Sequence, residues 1–211
     1  MAHPERQAVG ALLAGGRGRR IGGDKALVML AGRPLISYPL AALRAVFAEV
    51  LVVAKPDTVL PADLPAGVAV VREPPRPRHP LVGIVHALRA AADRPVLVCA
   101  ADLPLLTAEA LSELLMTDPA GAPAVIAAGP GGGLQPLLGL YRPQAAALLA
   151  AAAREATVPA RAAVAAIGPR VVEVSDPDVL FNVNSPEDLA RAEAILAGGR
   201  EGPPIQPNVK S

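Results

Sequence analysis

Four basic residues, one acid and two asparagines have the types and spacing for chemistry on a polyphosphate. The basic residues, Arg17, Arg19, Arg20 and Lys25, fall in the stretch Leu12 to Lys25, which also carries five glycines in the nine positions from 15 to 23. Glycine lets the backbone adopt φ > 0 and bring its N–H groups close to a ligand. Arginine forks and a mobile lysine ammonium suit phosphate oxygens. So many glycines and like charges in one turn cost backbone entropy and repulsion that a bound anion would offset, which weighs against a merely solvated loop. The acid is Asp102, which closes the otherwise apolar run Pro95 to Ala101. A carboxylate there needs a partner. It either holds Mg²⁺ at the carboxyl edge of a sheet, as a polyphosphate loop implies, or caps the helix that follows at Thr107; the metal role is the expectation. The asparagines are Asn182 and Asn184. In an extended segment Asn-x-Asn puts both amides on one side, able to donate and accept against a polar heterocycle, unless the two simply make a turn.

Two familiar phosphate loops do not fit the glycine-rich stretch. A Walker loop needs Gly-Lys followed by Ser or Thr, whereas Lys25 follows Asp24 and precedes Ala26. The dinucleotide fingerprint has Ile21 where its third glycine should stand.

The elements that must position these residues read as alternating strands and helices. Apolar runs at Ala8–Leu13, Val50–Ala54, Val68–Val71, Pro95–Ala101 and Ala124–Ala128 predict strands, most of them buried on both faces, with further strands at Leu134–Tyr141 and Arg170–Val174. Pro34 suits the first turn of a helix whose apolar face includes Leu35, Leu40, Leu43 and Phe47, giving a βαβ crossover. A second helix opens at Pro80 with Leu81, Ile84, Val85 and Leu88 inward, after a proline-rich loop that carries Arg76, Arg78 and His79. Helices are also expected at Thr107–Met116, Gln144–Ala153 and Thr157–Ile167. The last helix has Ser185 as N-cap, Pro186 at its first position and Asp188 completing a capping box. His79 either touches nucleotide or is solvated, and His86 is an ordinary helix residue.

With 211 residues and a net charge of +1, one α/β domain is expected and nothing global suggests nucleic acid. Two Phe, two Tyr and no Trp leave few platforms for stacked bases. No apolar run reaches the roughly 18 residues that span a bilayer. Residues 1–6 lead into the first strand without a secretory h-region, so the cytoplasm is the expected location and no membrane partner is expected. Cys99, the single cysteine, is expected to be inert in the core. Residues 200–211, with three prolines and little apolar content, read as a disordered tail behind a domain at 1–199.

Leu13-Ala-Gly-Gly-x-Gly-x-Arg-Ile-Gly-Gly-x-Lys25 resembles the signature of the molybdenum cofactor guanylyltransferases. His79-Pro-Leu-Val-Gly83 is similar to that family's Gly-Pro-Leu-Ala-Gly segment, with His79 and Val82 as departures. Gln135-Pro-Leu-Leu-Gly-Leu-Tyr141 and Phe181-Asn-Val-Asn-Ser-Pro-Glu-Asp188 are similar to its acceptor-side and C-terminal segments. The resemblance implies a three-layer, Rossmann-like nucleotidyltransferase fold with a mostly parallel sheet. It implies transfer of GMP from GTP to molybdopterin with Mg²⁺, and contact with cofactor-synthesis or acceptor enzymes. By the same resemblance Lys25 and Arg19 are catalytic, and Leu13, Ala14, Gly15, Gly16, Gly18, Lys25, Glu73 and Asp102 bind nucleotide. Asp102 also takes the metal, and Asn182 and Asn184 face the acceptor. One departure bears on the base: the family has an asparagine after its second strand, and this chain has Lys55, which cannot accept a hydrogen bond. A cytidylyltransferase for the same or another phosphorylated acceptor, and a non-catalytic nucleotide-binding regulator, are the alternatives.

Overall fold

Runs of Val, Leu and Ala too apolar to face water on either side become the centre of one sheet with helices on both faces. The computed structural model describes residues 8–18 and 23–198. Its seven main strands are β1 Val9–Leu13, β2 Val50–Ala54, β3 Val68–Arg72, β4 Val96–Ala100, β5 Ala124–Ala128, β6 Leu134–Tyr141 and β7 Arg170–Glu173. They lie in the order β3-β2-β1-β4-β6-β5-β7. β6 runs antiparallel to β4 and β5, and every other neighbouring pair is parallel. The α/β class and the mostly parallel sheet expected from the sequence are what the chain adopts.

The helices are α1 Ser37–Val46, α2 Pro80–Ala90, α3 Ala108–Met116, α4 Ala145–Glu155, α5 Ala160–Ala166 and α6 Pro186–Gly198. Side chains alternate across β1, so Leu12 joins one core with Leu43 of α1 and Leu111 of α3. Val9 and Ala11 join the other, with Ile84 of α2 and Leu149 of α4. A smaller cluster of Leu30, Leu35, Leu105, Phe181, Val183 and Ala192 ties α6 to the segment after the glycine-rich loop. Cys99 is fully buried in the first core, and burial pushes its thiol far up, as expected of an inert residue.

Two helix starts differ from expectation. Pro34 does not open α1: Arg33–Pro34 pairs with Met29–Leu30 around a tight turn in which Ala31 and Gly32 both have positive φ, and the helix begins at Ser37. This hairpin uses Pro34 where it has no ladder N–H to donate. Similarly, α5 starts at Ala160, because Pro159 keeps an extended ψ of 139° at its N-cap and Ala156 is left-handed at the end of α4.

Gly139 shows how closely the antiparallel strand is fitted. A Cβ there would lie 2.6 Å from Ile126 Cδ1 and 2.8 Å from the Val125 carbonyl oxygen on β5. Gly139→Ala is therefore expected to destabilise the chain by about 2 kcal/mol or more, read from the midpoint of urea unfolding. A loss under about 0.5 kcal/mol would show that β6 shifts freely.

Candidate functional site

The parallel register brings the carboxyl ends of three strands level, with Leu13 opposite both Val53 and Ala100. The ladder runs one residue further on each side: Ala14 N donates to Val53 O at 2.8 Å, Glu73 N to Ala54 O at 3.0 Å and Ala101 N to Leu13 O at 3.1 Å. Beyond those bonds Gly15–Gly16, Lys55, Glu73 and Asp102 leave the sheet together, and they line a cleft of ≈ 500 Å³. This is the edge at which open α/β sheets bind ligands.

At one end Lys25 stands between two distant partners. Its Nζ donates to Asp102 Oδ2 at 2.5 Å and to Asn184 Oδ1 at 2.9 Å. Lys25 begins a 3₁₀ turn, Lys25–Leu27, which the following hairpin anchors: Leu35 N donates to Val28 O at 2.7 Å and Ala26 is buried. Asp102 is not the cap of α3. Thr107 is, its Oγ1 accepting from Ala110 N at 3.3 Å. Asp102 Oδ1 is instead buried without a hydrogen-bond partner among the described residues. An orphaned carboxylate oxygen facing a basic cleft suits a hard cation that draws its remaining ligands from water and phosphate, the way Mg²⁺ is usually held. Among the described residues no group of three or more His, Cys, Asp or Glu could enclose a metal by themselves.

The asparagine pair is divided. Asn184 lies in the cleft on Lys25, whereas Asn182 Nδ2 donates to Leu180 O at 2.9 Å and does not line the cleft. Residues 181–184 follow a 3₁₀ turn and form no regular strand, so a two-residue period does not put both amides on one side. The loop is held by Val183 N donating to Asp102 O at 3.0 Å and by the capping box, in which Asp188 Oδ2 accepts from Asn184 N and Ser185 N. Of the other expected residues, Leu13, Ala14, Gly15, Gly16 and Glu73 line the cleft. Gly18 sits in a small ribbon opposite Gly23, and Arg19 and Arg20 lie outside the described residues, as does the segment 199–211.

The other end holds a buried ion pair that sequence reasoning did not find. Lys55 and Glu73, 2 % and 5 % exposed, place Nζ 3.3 Å from Oε2. Burial holds the Glu73 carboxyl above its usual range, with Lys55 pulling the other way. The sequence showed each charge just past an apolar strand, and the pairing follows only from the register, in which Ala54 lies opposite Arg72. His79 caps α2, its Nδ1 accepting from Leu81 N at 3.4 Å, and faces the cleft beside Arg78. Arg78 reaches across to Asp57 at 2.5 Å, which joins the loops after β2 and before α2. His86 stays on its own helix, with Nδ1 2.9 Å from Val82 O.

The same architecture occurs in solved structures. The crystal structure of molybdopterin-guanine dinucleotide biosynthesis protein A from Archaeoglobus fulgidus aligns with a TM-score of 0.70 and 26 % identity over 90 % of this chain and 99 % of that one. A nucleotidyl transferase from Methanothermobacter shares the fold at a TM-score of 0.71 and 23 % identity over 91 % of this chain and 98 % of that one. The protein is a nucleotidyltransferase. Residues 10–180 match the family model described as the MobA-like NTP transferase domain, and the chain belongs to that family. The molybdenum cofactor guanylyltransferase of Cereibacter sphaeroides is 39 % identical over 193 residues, covering 89 % of this chain and 96 % of its own. A probable molybdenum cofactor guanylyltransferase of Chloroflexus aggregans is 33 % identical over 198 residues, covering 89 % and 94 %. No helix among the described residues is long and apolar enough to cross a membrane.

Proposed function

We propose that this chain transfers GMP from GTP to the terminal phosphate of molybdopterin and releases pyrophosphate. The observation that carries this reading is the arrangement of Lys25 and Asp102 across the carboxyl edge of β1 and β4, beside the Gly15–Gly16 turn. The names of relatives aligned over most of their length supply the acceptor and the base.

The chemistry asks little of a base. An acceptor phosphate is already anionic near neutral pH, so an oxygen of that phosphate attacks the α-phosphorus of GTP, the bond from that phosphorus to the β-phosphate oxygen breaks, and pyrophosphate leaves with the electron pair. Positioning and charge neutralisation are what the protein must provide. The Gly15–Gly16 backbone can approach the triphosphate, and Lys25 moves its charge toward the phosphates as negative charge builds on the leaving group. Asp102 would hold Mg²⁺ through its orphaned Oδ1. That ion, when bound, would neutralise charge on the phosphate oxygens. Asn184, bonded to Lys25, would face the acceptor, and Leu137 of β6 also lines the cleft. Asn182 supports the loop through its bond to Leu180 rather than reaching the pterin.

The test is a panel of GTP, CTP, ATP and UTP with the molybdopterin acceptor and Mg²⁺, following pyrophosphate release. GTP should be the preferred substrate, and preference for CTP would make the chain a cytidylyltransferase. No release with any nucleotide would leave a nucleotide-binding regulator.

A further inference from the structure

Lys55 occupies the buried end of the cleft with its ammonium already engaged. Nζ donates to Pro74 O at 2.8 Å and Pro77 O at 3.0 Å, and it faces Glu73 Oε2 at 3.3 Å. An ammonium has three donors and no acceptor; two of them are spent on these carbonyls, and its charge is set against Glu73. Its backbone is fixed as well, the Lys55 carbonyl accepting from Arg72 Nη1 at 2.7 Å and from Thr58 N at 3.1 Å.

Glu73 is the opposite case. Oε2 is buried and has no hydrogen-bond partner among the described residues, although it lies within ion-pair distance of Lys55. Oε1 faces the glycine turn so closely that a Cβ on Gly15 would lie 2.7 Å from it. The Glu73 carboxylate thus meets the cleft through Oε1, beside the glycine turn, while Oε2 stays enclosed against Lys55. Guanine alone among the common bases offers that group two adjacent donors, its ring N1–H and its exocyclic amine. Cytosine and adenine place a ring lone pair beside their amine, and uracil flanks its single N–H with two carbonyls, so each would turn a lone pair toward the carboxylate.

We infer that Lys55 is a positioning residue for base selection: it clamps the wall 74–77 and holds Glu73 aimed at the donor edge of guanine. The inference rests on the GTP reading above and names how this chain achieves it with Lys55 at the end of β2. The groups that face Glu73 are Lys55 from the end of β2, His86 from α2 and Arg78 from the loop between them; of these Lys55 makes the closest ion pair. Lys55 opposes the burial that raises the Glu73 carboxyl, so removing it shifts that carboxyl further up and also releases it from the 3.3 Å contact that aims it.

The experiment compares equilibrium binding of GTP, inosine triphosphate and CTP to the full chain. Inosine triphosphate lacks only the exocyclic amine. The wild-type protein should hold GTP about tenfold or more tightly over inosine triphosphate, the scale of one hydrogen bond to a charged group. Lys55→Met keeps the stem and removes the ammonium. It should bring that ratio close to one, with the loss in turnover assays falling on KM for GTP more than on kcat. If Lys55→Met does not fold, Lys55→Met combined with Glu73→Gln removes both charges and should lose the ratio too. A foldable variant of either kind that keeps the wild-type ratio overturns the role of Lys55. Wild-type protein that binds CTP over GTP overturns the guanine reading itself, whatever the variants do.

Discussion

Lys25→Ala is expected to reduce pyrophosphate release by about 10²- to 10³-fold while the chain still folds. On the proposed reading the lost charge faces the triphosphate, and its attraction grows as the bond to the β-phosphate lengthens, so the deficit should appear in kcat with every acceptor tried. The structure adds a second consequence, because the same ammonium holds Asn184 in the cleft at 2.9 Å. Acceptor KM should therefore rise as well. Lys25→Arg is the useful control: it keeps the charge but brings a planar fork that cannot follow a phosphate as a point charge does. A drop of less than about tenfold in Lys25→Ala would move the catalytic cation elsewhere in the glycine-rich loop.

Asp102→Asn is expected to cost about 10²-fold or more in turnover, with a rise in the Mg²⁺ concentration needed for half-maximal rate. The substitution keeps shape. Val183 N bonds the Asp102 backbone oxygen rather than its side chain, so the C-terminal loop should stay in place and the melting temperature should change little. The metal titration separates two roles. If Asp102 only anchors Lys25, activity falls without any change in Mg²⁺ dependence; if it holds the ion through Oδ1, the dependence shifts. Because Lys25 and Asp102 touch, the double variant should be far less impaired than the product of the two singles.

The main architecture was legible because both faces of the central strands are covered. Val9–Leu13, Val50–Ala54, Val96–Ala100 and Ala124–Ala128 have no polar side to hide, and Ser185, Pro186 and Asp188 wrote the start of α6 in local chemistry. That Lys25 and Asp102 stand at the cleft was legible for a related reason: they are charges placed next to apolar runs. What could not be read was pairing. Proline marks a position where no backbone N–H is required, and Pro34 fulfils this in a hairpin as well as it would in a helix. The two asparagines look alike in a motif, yet the turn before them sends one to Leu180 and the other to Lys25. Lys55 and Glu73 looked like isolated strand-end charges until β2 and β3 were known to be neighbours in register.

Lys25 lies near the start of the chain, yet its partners Asp102 and Asn184 come 77 and 159 residues later, and Ala31 in the hairpin beyond it donates to Glu193 of α6 at 3.0 Å. Contacts of such sequence separation close long loops whose entropy is not recovered until the surrounding elements have docked. An early β1–α1–β2 unit would thus contain the whole glycine-rich turn and still have nowhere to seat a triphosphate. The same coupling runs in reverse in the native chain: any fluctuation that detaches α6 loosens the cradle of Lys25, 160 residues upstream in round terms. A nucleotide that needs this cradle binds the complete fold and not its fragments. On the proposed reading, occupancy at a hundred times Kd adds about 2.7 kcal/mol to the free energy of undocking α6, an element far in sequence from the glycine-rich turn.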